Sequence, residues 1–340
     1  MRGTLRTRRL RCAHAILLSG ALLATGVAAE EPAAVSFTEQ PGRVVITVGG
    51  EPLATYVYDD PEITRPYFAH VHAPGGIQVT RNHPPVEGQD TIDHPTFHPG
   101  IWMAFGDISG CDYWRLKCRV IHDAFLEQPQ GGPGKGEFAV RNRYLPGGYQ
   151  SAHICVENCK FTFWVRPEGF LLTWDSTFQP ARESMYFGDQ EEMGLGIRVA
   201  TPLRVEKGDG SIPPGNGSIL DAEGRRNGAE VGGNSADWCD YSGTLDGGHP
   251  PQRVGVGITI FCHPGNFRPS WFHARDYGFV AANAFGRAAF HKGEPSNVVV
   301  KRGESLRLRY GILLHAGPPD KDTNLDAAYA DYQQLAGGNE

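Results

Sequence analysis

The residues best suited to chemistry lie in one proline-rich stretch, residues 80–114, which combines histidines with several acids. His94 and His98 are its central pair, and Asp93 stands directly before them. Imidazole titrates near neutral pH, so this cluster suits general acid–base catalysis or metal binding. The prolines at 84, 85, 95 and 99 exclude a helix. In an extended chain the two histidines would lie about 13 Å apart, so they share a ligand only if turns at the prolines bend the chain.

A second concentration of polar and aromatic residues covers residues 261–285. It contains Trp271, His273, Arg275 and Asp276 between two apolar runs. A flat aromatic ring beside charged hydrogen-bonding groups is typical of a sugar site, because sugar C–H faces stack on the ring and the hydroxyls bind the charges. We therefore predict that Trp271, Arg275 and Asp276 bind substrate, together with Arg81. The alternative for Trp271 is packing in the core.

A third patch, residues 187–196, places three carboxylates ahead of an apolar run. These are Asp189, Glu191 and Glu192. A carboxylate group in a loop is commonly a solvated surface. If the loop folds over a cleft, Glu191 and Glu192 become candidate catalytic bases, with His94, His98 or His273 as the candidate acid.

The sequence predicts that strands and turns position these three patches. The chain has 44 glycines and 25 prolines, which divide it into short runs rich in β-branched and aromatic residues. Runs of this kind occupy residues 43–48, 53–58, 137–144, 160–165, 170–178, 254–261 and 305–314. They predict an all-β fold, a large antiparallel sandwich of two packed sheets. A propeller is the competing architecture, but the sequence has no blade repeat.

The ends and loops complete this organisation. Residues 324–335 carry apolar residues at helical spacing behind Thr323 or Asp322 as a cap, which predicts one amphipathic helix at the C-terminus. Residues 128–135 and 207–248 are rich in turn-forming residues and are expected to be long surface loops. No change in composition divides the remainder, so residues 30–340 are predicted to form a single β-sandwich domain.

The first 29 residues have the pattern of a signal peptide. Five arginines without an acid precede an apolar run, and small residues stand at 27–29. That run is too short for the ~30 Å of hydrocarbon that a membrane helix spans. We therefore expect an exported protein, periplasmic or extracellular, without a membrane span. The formal net charge is −6 before removal of these arginines, which argues against nucleic acid as a partner.

Six cysteines remain after the signal peptide. They are Cys111, Cys118, Cys155, Cys159, Cys239 and Cys262. An even number in an oxidising compartment is compatible with disulfides, and buried free thiols are the alternative. None of the spacings has the CxxC form of a zinc site. The pairing is left open at this stage.

Several motifs together resemble a known family. The motifs are Arg65-Pro-Tyr-Phe, Thr80-Arg-Asn-His-Pro-Pro, the run of residues 93–107, Asp112-Tyr-Trp and the run of residues 271–278. They are similar to a bacterial family of unknown function that is often labelled methane oxygenase PmoA. The resemblance implies a galactose-mutarotase-like supersandwich, an architecture whose enzymes are largely carbohydrate-active epimerases, lyases and glycosidases. The label says little about chemistry, because particulate methane monooxygenase is an integral membrane copper enzyme.

These observations leave three functional hypotheses. The leading one is a secreted enzyme of epimerase, lyase or hydrolase type that acts on a sugar or glycoside by histidine and carboxylate acid–base chemistry. The second is a metal-dependent oxidoreductase, with His94, His98 and a carboxylate as ligands of a divalent ion. The third is a non-catalytic carbohydrate-binding module. All three expect a carbohydrate or other small-molecule partner, and the cofactor stays open, with a divalent metal ion as the candidate.

Overall fold

The computed structural model describes residues 1, 3–4, 31–147, 152–208, 210, 212–247 and 251–337. The chain divides into two compact units, Met1–Glu31 and Pro32–Glu340. Every strand and helix of the described residues lies in the second unit. The predicted signal peptide falls almost entirely outside the described residues. Among the residues that are described, no helix has the length and apolar character needed to cross a membrane.

The second unit is built mainly from β-strands. The described strands are β1 (Ala34–Gln40), β2 (Arg43–Val48), β3 (Glu51–Val57), β4 (Tyr67–Ala69), β5 (His72–Ala73), β6 (Ile77–Gln78), β7 (Ile101–Phe105), β8 (Arg119–Pro133), β9 (Lys135–Leu145), β10 (Cys155–Arg166), β11 (Gly169–Pro180), β12 (Ser184–Phe187), β13 (Met193–Arg198), β14 (Ser218–Asp221), β15 (Trp238–Gly247), β16 (Gln252–Cys262), β17 (Trp271–Arg275), β18 (Phe279–Asn283), β19 (Val298–Lys301) and β20 (Leu306–Gly317). A 3₁₀ turn covers Thr201–Leu203, α1 covers Asn227–Val231 and α2 covers Leu325–Gly337. The prediction of an all-β chain with a C-terminal helix is confirmed.

Sixteen of the described strands form one hydrogen-bonded sheet, in the order β14-β15-β16-β20-β11-β10-β9-β8-β1-β2-β3-β4-β7-β13-β18-β17. The sheet doubles back on itself, because strands far apart in this order touch across the core. The ring of Phe105 in β7 lies 5.4 Å from that of Phe178 in β11, and Tyr56 in β3 lies 5.3 Å from Phe161 in β10. The two packed layers of the sandwich are therefore parts of one continuous antiparallel sheet.

Both predicted surface loops contain regular structure. The Gly/Pro-rich residues 128–135 continue β8 into β9, and register shifts along this pair absorb the extra residues. A Cβ at Gly131 would lie 2.1 Å from the carbonyl oxygen of Val35, so this glycine marks the close approach of β1 and is not a loop residue. Residues 207–248 likewise include β14, α1 and β15. The loop predictions were wrong here because local composition does not report strand pairing.

The helix α2 packs on the outer face of the sheet. Its buried residues include Leu325, Tyr329 and Tyr332, which contact Trp238 and Phe261. The backbone N–H of Ala327 donates to Asn324 Oδ1 at 3.1 Å, so Asn324 caps the helix rather than the predicted Thr323 or Asp322. The hydroxyl of Thr323 is instead 3.0 Å from His315 Nδ1.

Strand β17 is the last strand in the order of the sheet, but its outer edge is covered. The backbone N–H of Phe272 donates to the carbonyl of Asn234 at 2.9 Å, and that of Gly233 donates back to Phe272 at 2.8 Å. An isolated bridge joins Ser235 to Trp271. Segment 233–235 therefore satisfies backbone groups that an open edge would expose to water.

The six cysteines of the described chain are free thiols, and all six are buried. Burial raises the pKa of the thiols of Cys155, Cys159 and Cys239 well above the ordinary value. These side chains act as small apolar core residues. Of the two alternatives left open by the sequence, the structure has the buried free thiols.

Candidate functional site

The His94 to His98 segment is a tight turn and not an extended strand. His94 has a left-handed backbone with φ of 47°, a conformation uncommon for residues other than glycine. The backbone N–H of His98 donates to the carbonyl of His94 at 3.1 Å. As a result the two imidazole rings stack with centroids 4.8 Å apart and planes 20° apart. The bend that the sequence required for a shared ligand is present.

Arg81 stabilises this turn by hydrogen bonds to its backbone carbonyls. Its guanidinium, 1% exposed, donates to the carbonyls of Thr91 at 2.8 Å and Asp93 at 2.7 Å. It also reaches the carbonyls of His94 at 3.3 Å and His98 at 3.2 Å. Burial lowers the pKa of Arg81 to about 10. The predicted substrate-binding residue is therefore a positioning residue, which satisfies carbonyls that an irregular loop leaves without partners.

Arg65 also stabilises the turn by hydrogen bonds to backbone carbonyls. It donates to the carbonyls of Phe97 at 2.6 Å and Trp114 at 3.0 Å, and it lies 5.8 Å from the centre of the Trp102 ring. Burial lowers the pKa of Arg65 to about 9. The Arg65 motif and the histidine motif are thus parts of one local structure.

Arg198, at the end of β13, contacts both members of the Asp93–His98 pair. It donates to Asp93 Oδ1 at 2.7 Å and to Thr91 Oγ1 at 2.8 Å, and its Nη1 lies 3.5 Å from His98 Nδ1. Burial works to raise the pKa of Asp93, but the charge and hydrogen bond of Arg198, the hydrogen bond of His94 and the charge of Arg81 together outweigh it and hold that pKa below its ordinary range. Sequence reasoning missed Arg198. The available signal was a charged residue ending an apolar run, since a buried charge requires a partner.

His98 is packed between aromatic rings. It stacks on Phe279 with centroids 4.7 Å apart and on Trp102 at 5.0 Å. Strand β13 leaves room for the indole, because a Cβ at Gly196 would come within 2.6 Å of Trp102. Burial, and then the charge of Arg198, lower the pKa of His98 well below its ordinary value. The imidazole is therefore neutral at physiological pH.

The neighbours of His98 also fix its tautomer. A guanidinium can only donate, so His98 Nδ1, which faces Arg198, is the accepting nitrogen and the proton resides on Nε2. No described residue hydrogen-bonds Nε2, and this atom is not sealed from the pocket that His98 lines. His98 thus offers an N–H donor to a bound molecule.

His273, in β17, has the opposite arrangement. Its two ring nitrogens both face acceptors, but Nδ1 makes the closer contact, a hydrogen bond at 3.2 Å to the carbonyl of Glu191, so we assign the proton to Nδ1 and the accepting role to Nε2. Burial, and then the charge of Arg275, lower its pKa to about 3. The Glu191 carboxylate lies 3.4 Å from Nε2 and accepts a hydrogen bond from Arg275 at 2.9 Å. His273 thus offers a neutral base backed by a carboxylate.

Phe279 separates the two histidines, with its edge-on contact to His273 at 4.9 Å. Both histidines line a pocket of about 110 Å³. The lining residues are His94, Phe97, His98, Trp114, Arg115, Glu192, His273, Tyr277 and Phe279. The fold therefore brings together His94, His98, His273 and Glu192 from three regions distant in sequence.

The other predicted site residues lie beside this pocket or away from it. Glu191 and Arg275 form the ion pair behind His273. Trp271 does not line the pocket, and its ring packs near Phe290 and the guanidinium of Arg268. The Asp276 carboxylate accepts the backbone N–H of Gly228 at 2.7 Å. Asp276 therefore holds the start of α1 and does not face the pocket.

Two polar pocket residues were not predicted from the sequence. Arg115 forms an ion pair with Glu192 at 2.6 Å and another with Asp112 at 3.2 Å. The ring of Tyr277 lies beneath the guanidinium of Arg198, 4.6 Å away. Tyr277 stood within the second sequence patch, so its position gave a signal, whereas nothing in the sequence linked Arg115 to Glu192.

The residues proposed as metal ligands lie close together but do not suit a cation. Atoms of Asp93, His94 and His98 that could bind a metal lie within 4.8 Å of one another. Asp93, however, binds Arg198 through Oδ1 and the His94 ring through Oδ2 at 2.9 Å. Arg198 also faces the accepting nitrogen of His98, and the Arg81 guanidinium is 3.6 Å from Asp93. The two buried guanidinium groups repel a cation here, and Arg198 also occupies lone pairs of Asp93 and His98 that a cation would need.

A family model described as "Family of unknown function (DUF6807)" matches residues 43–330. The chain belongs to this family. The match agrees with the resemblance to a family of unknown function, and its description carries no methane-oxygenase label. No curated protein matches this chain.

Two solved structures are similar to this one. One is a GalM/aldose epimerase homologue from C. elegans, 11% identical, with a TM-score of 0.29, where the match covers 83% of this chain and 99% of that one. The other is a galactose mutarotase-like protein from Lactobacillus casei, 11% identical, with a TM-score of 0.31 and coverage of 83% and 100%.

Proposed function

We propose that the protein is an exported enzyme that moves protons on a sugar, and that interconversion of the anomers of a free aldose is the reaction its pocket suits best. The observation that carries this proposal is the opposite tautomers of His98 and His273. A neutral N–H donor and a neutral imidazole base face one pocket on either side of Phe279. Anomer exchange needs a base at the anomeric hydroxyl and a donor at the ring oxygen.

In the proposed step, His273 Nε2 takes the proton of the anomeric hydroxyl while the bond from the anomeric carbon to the ring oxygen breaks. The Nε2–H of His98 donates a hydrogen bond to the ring oxygen and stabilises the negative charge that develops there, a role that a neutral imidazole can fill. Rotation of the open-chain aldehyde and reclosure return the proton from His273 to the anomeric oxygen. No proton is gained or lost overall.

The carboxylates support this step rather than perform it. Glu191 lies 3.4 Å from His273 Nε2, where it stabilises the imidazolium that forms when His273 takes the proton. Glu192 lines the pocket and is held by Arg115. The sequence analysis gave the role of base to one of these two carboxylates, and the geometry favours His273 instead.

The shape and lining of the pocket favour a single sugar ring. Its volume of about 110 Å³ lies below the roughly 300–1,000 Å³ typical of pockets for drug-sized ligands. The rings of Phe97, Trp114 and Phe279 supply apolar walls for sugar C–H groups. The Arg-rich, apolar N-terminal pattern is what supports the proposal of export. The metal-dependent oxidoreductase is disfavoured, because Arg81 and Arg198 lie against the ligands it would need.

The test is anomer exchange measured by two-dimensional exchange NMR on a panel of aldoses, with purified protein lacking residues 1–29. We expect accelerated exchange for at least one aldose, and a fall of about 10²–10⁴ in rate for His273→Gln, the size expected when a general base is lost. The matched control is His291→Asn, at an exposed histidine outside the pocket, which should retain the wild-type rate.

Two results would count against catalysis. Bound sugar without any accelerated exchange would favour the carbohydrate-binding module instead. The absence of both binding and exchange across the panel, in a protein that melts cooperatively, would refute the sugar site itself.

A further inference from the structure

A second cleft lies on the outer face of the sheet, between β14, β15, β16, β20 and the segment that leads into α2. Its volume is about 390 Å³. Its lining has no residue in common with the pocket around His98. The even-numbered residues of β15, such as Trp238, face α2, whereas Cys239 and Tyr241 belong to the main core. The cleft is thus a separate site on the opposite face of this part of the sheet.

Glycines form the floor of the cleft. Gly255 pairs with Gly317 and Gly257 pairs with His315 in the ladder between β16 and β20. A Cβ at Gly257 would come within 2.3 Å of His315 Nε2, so only glycine lets that imidazole lie across β16. His315 covers Gly257, and without side chains at Gly255 and Gly317 the floor of the cleft beside it is backbone.

A buried polar network forms one wall. His315 Nε2 lies 2.9 Å from Asp240 Oδ1, which also accepts the hydroxyl of Thr259 at 2.8 Å. A carboxylate only accepts, so Nε2 carries the proton and His315 Nδ1 accepts the hydroxyl of Thr323 at 3.0 Å. The network ties the segment after β20 to the floor of the cleft.

This network leaves one acceptor for a ligand. Asp240 is 3% exposed, and both of its hydrogen bonds fall on Oδ1. Its Oδ2 receives no hydrogen bond from any residue that the structure describes, and it is not sealed from the cleft. A nearly buried carboxylate oxygen without a donor is costly unless something fills that position.

We infer that the cleft binds a small neutral polyol of the sugar class, which lies on the glycine floor and donates a hydroxyl to Asp240 Oδ2. Asp322 and Asp326 also line the cleft, and Lys321 is the lysine of the lining. With Asp240, the carboxylates outnumber this positive charge, so the cleft repels an anion. Ser242, Thr244 and Asn324 add side chains that both donate and accept, as sugar hydroxyls do. The volume lies within the range of about 300–1,000 Å³ for small-molecule sites.

This inference does not depend on the proposed enzyme, because the two sites share no residue. A polyol site on the outer face would hold carbohydrate near the protein whether or not the pocket around His98 turns it over. The two sites can therefore be tested separately.

The experiment uses saturation-transfer NMR and calorimetric titration with D-glucose, D-galactose, D-mannose, D-xylose and myo-inositol. Gly317→Leu fills the cleft, and the protein should fold because a Cβ at Gly317 meets nothing within 4 Å. Asp240→Asn replaces the accepting oxygen. Gly337→Leu is the matched control, since a Cβ there is equally unobstructed and lies at the far end of α2.

We expect at least one of these polyols to bind, and binding to weaken about tenfold or more, equal to about 1.4 kcal/mol, in Gly317→Leu and in Asp240→Asn. Binding should be unchanged in Gly337→Leu and should persist in His98→Ala. The inference is overturned if no polyol of the panel binds, if Gly317→Leu binds as wild type does, or if binding disappears in His98→Ala alone. Absence of accelerated anomer exchange in the wild-type protein, with binding retained at the cleft, would refute the proposed enzyme and leave this site standing.

Discussion

His98 and His273 present the same ring nitrogen to one pocket in opposite protonation states, Nε2–H from His98 and an unprotonated Nε2 from His273, with Phe279 between them. The guanidinium of Arg198 sets the tautomer of His98, and the carbonyl of Glu191, which is nearer to the His273 ring than the Glu191 carboxylate is, sets that of His273. Burial keeps both rings neutral.

Replacement of His98 should affect both activity and stability. His98→Ala removes the donor and also leaves a void between Trp102 and Phe279, so we expect a loss of roughly 1–3 kcal/mol of stability together with the loss of activity. His98→Phe keeps an aromatic ring in the stack, and it should recover much of the stability while staying inactive. Thermal melts and exchange rates on both variants provide the measurement. Wild-type activity in His98→Phe would show that the N–H is not used.

Stability should fall as the pH is lowered from about 6.5, the ordinary pKa of histidine. Folded His273 stays neutral down to its pKa of about 3, whereas the unfolded chain binds a proton there from about pH 6.5 downward. The unfolded state therefore holds more protons in this window, which costs the native state about 1.4 kcal/mol per pH unit for each such group. Burial of His98 acts in the same direction.

Urea denaturation of wild type and His273→Gln at several values between pH 7 and pH 4 measures this effect. Glutamine does not titrate, so the variant should lose stability less steeply as the pH falls. His291→Asn serves as the exposed control and should keep the wild-type slope. Equal slopes for wild type and His273→Gln would contradict the buried, neutral state of His273.

The thiols should be unreactive until the protein unfolds. Burial raises the pKa of Cys118 and of Cys262 to about 12 each, and that of Cys155, Cys159 and Cys239 well above the ordinary value. Thiolate is the reactive form, so Ellman's reagent at pH 8 should react only slowly with the native mature protein. After unfolding in guanidinium, the same reagent should react with all six thiols. Fewer than six thiols after unfolding would reveal disulfides formed on export.

Metal should not be required at Asp93, His94 and His98. Protein treated with EDTA should keep its sugar binding and its melting temperature, because guanidinium groups occupy the positions around Asp93. Elemental analysis of the native protein and of Asp93→Asn is the check. A stoichiometric metal that is present in wild type and lost from Asp93→Asn would contradict this account.

Much of the fold was predictable because strand periodicity is local. Runs such as residues 170–178 and 305–314 became β11 and β20 with small changes at their ends. The glycine-rich residues 128–135 were mistaken for a loop, because the reason for glycine at 131 is β1, almost a hundred residues earlier in the chain. Contacts of that kind are set by strand pairing and leave no local trace.

The candidate site was predicted at the level of residue types and not of roles. The histidine cluster and His273 were recognised because imidazole titrates near neutral pH and these histidines stand close to acids or aromatic residues in the sequence. Arg81 was read as a substrate ligand because a guanidinium is equally able to bind a sugar hydroxyl or a backbone carbonyl, and only the folded turn supplies the carbonyls. Arg198 escaped notice because its importance depends on Asp93 and His98, which approach it only in the folded sheet.

The short segment 233–235 that covers β17 has a consequence for how the protein behaves in solution. Its hydrogen bonds with Phe272 occupy the backbone groups that another chain would need to extend the sheet at that edge. Strand exchange and fibril growth are therefore blocked at β17. Strand β17 is thus paired with β18 on one side and with segment 233–235 on the other. The strand that carries His273 cannot separate from the sheet without also breaking its hydrogen bonds with this segment.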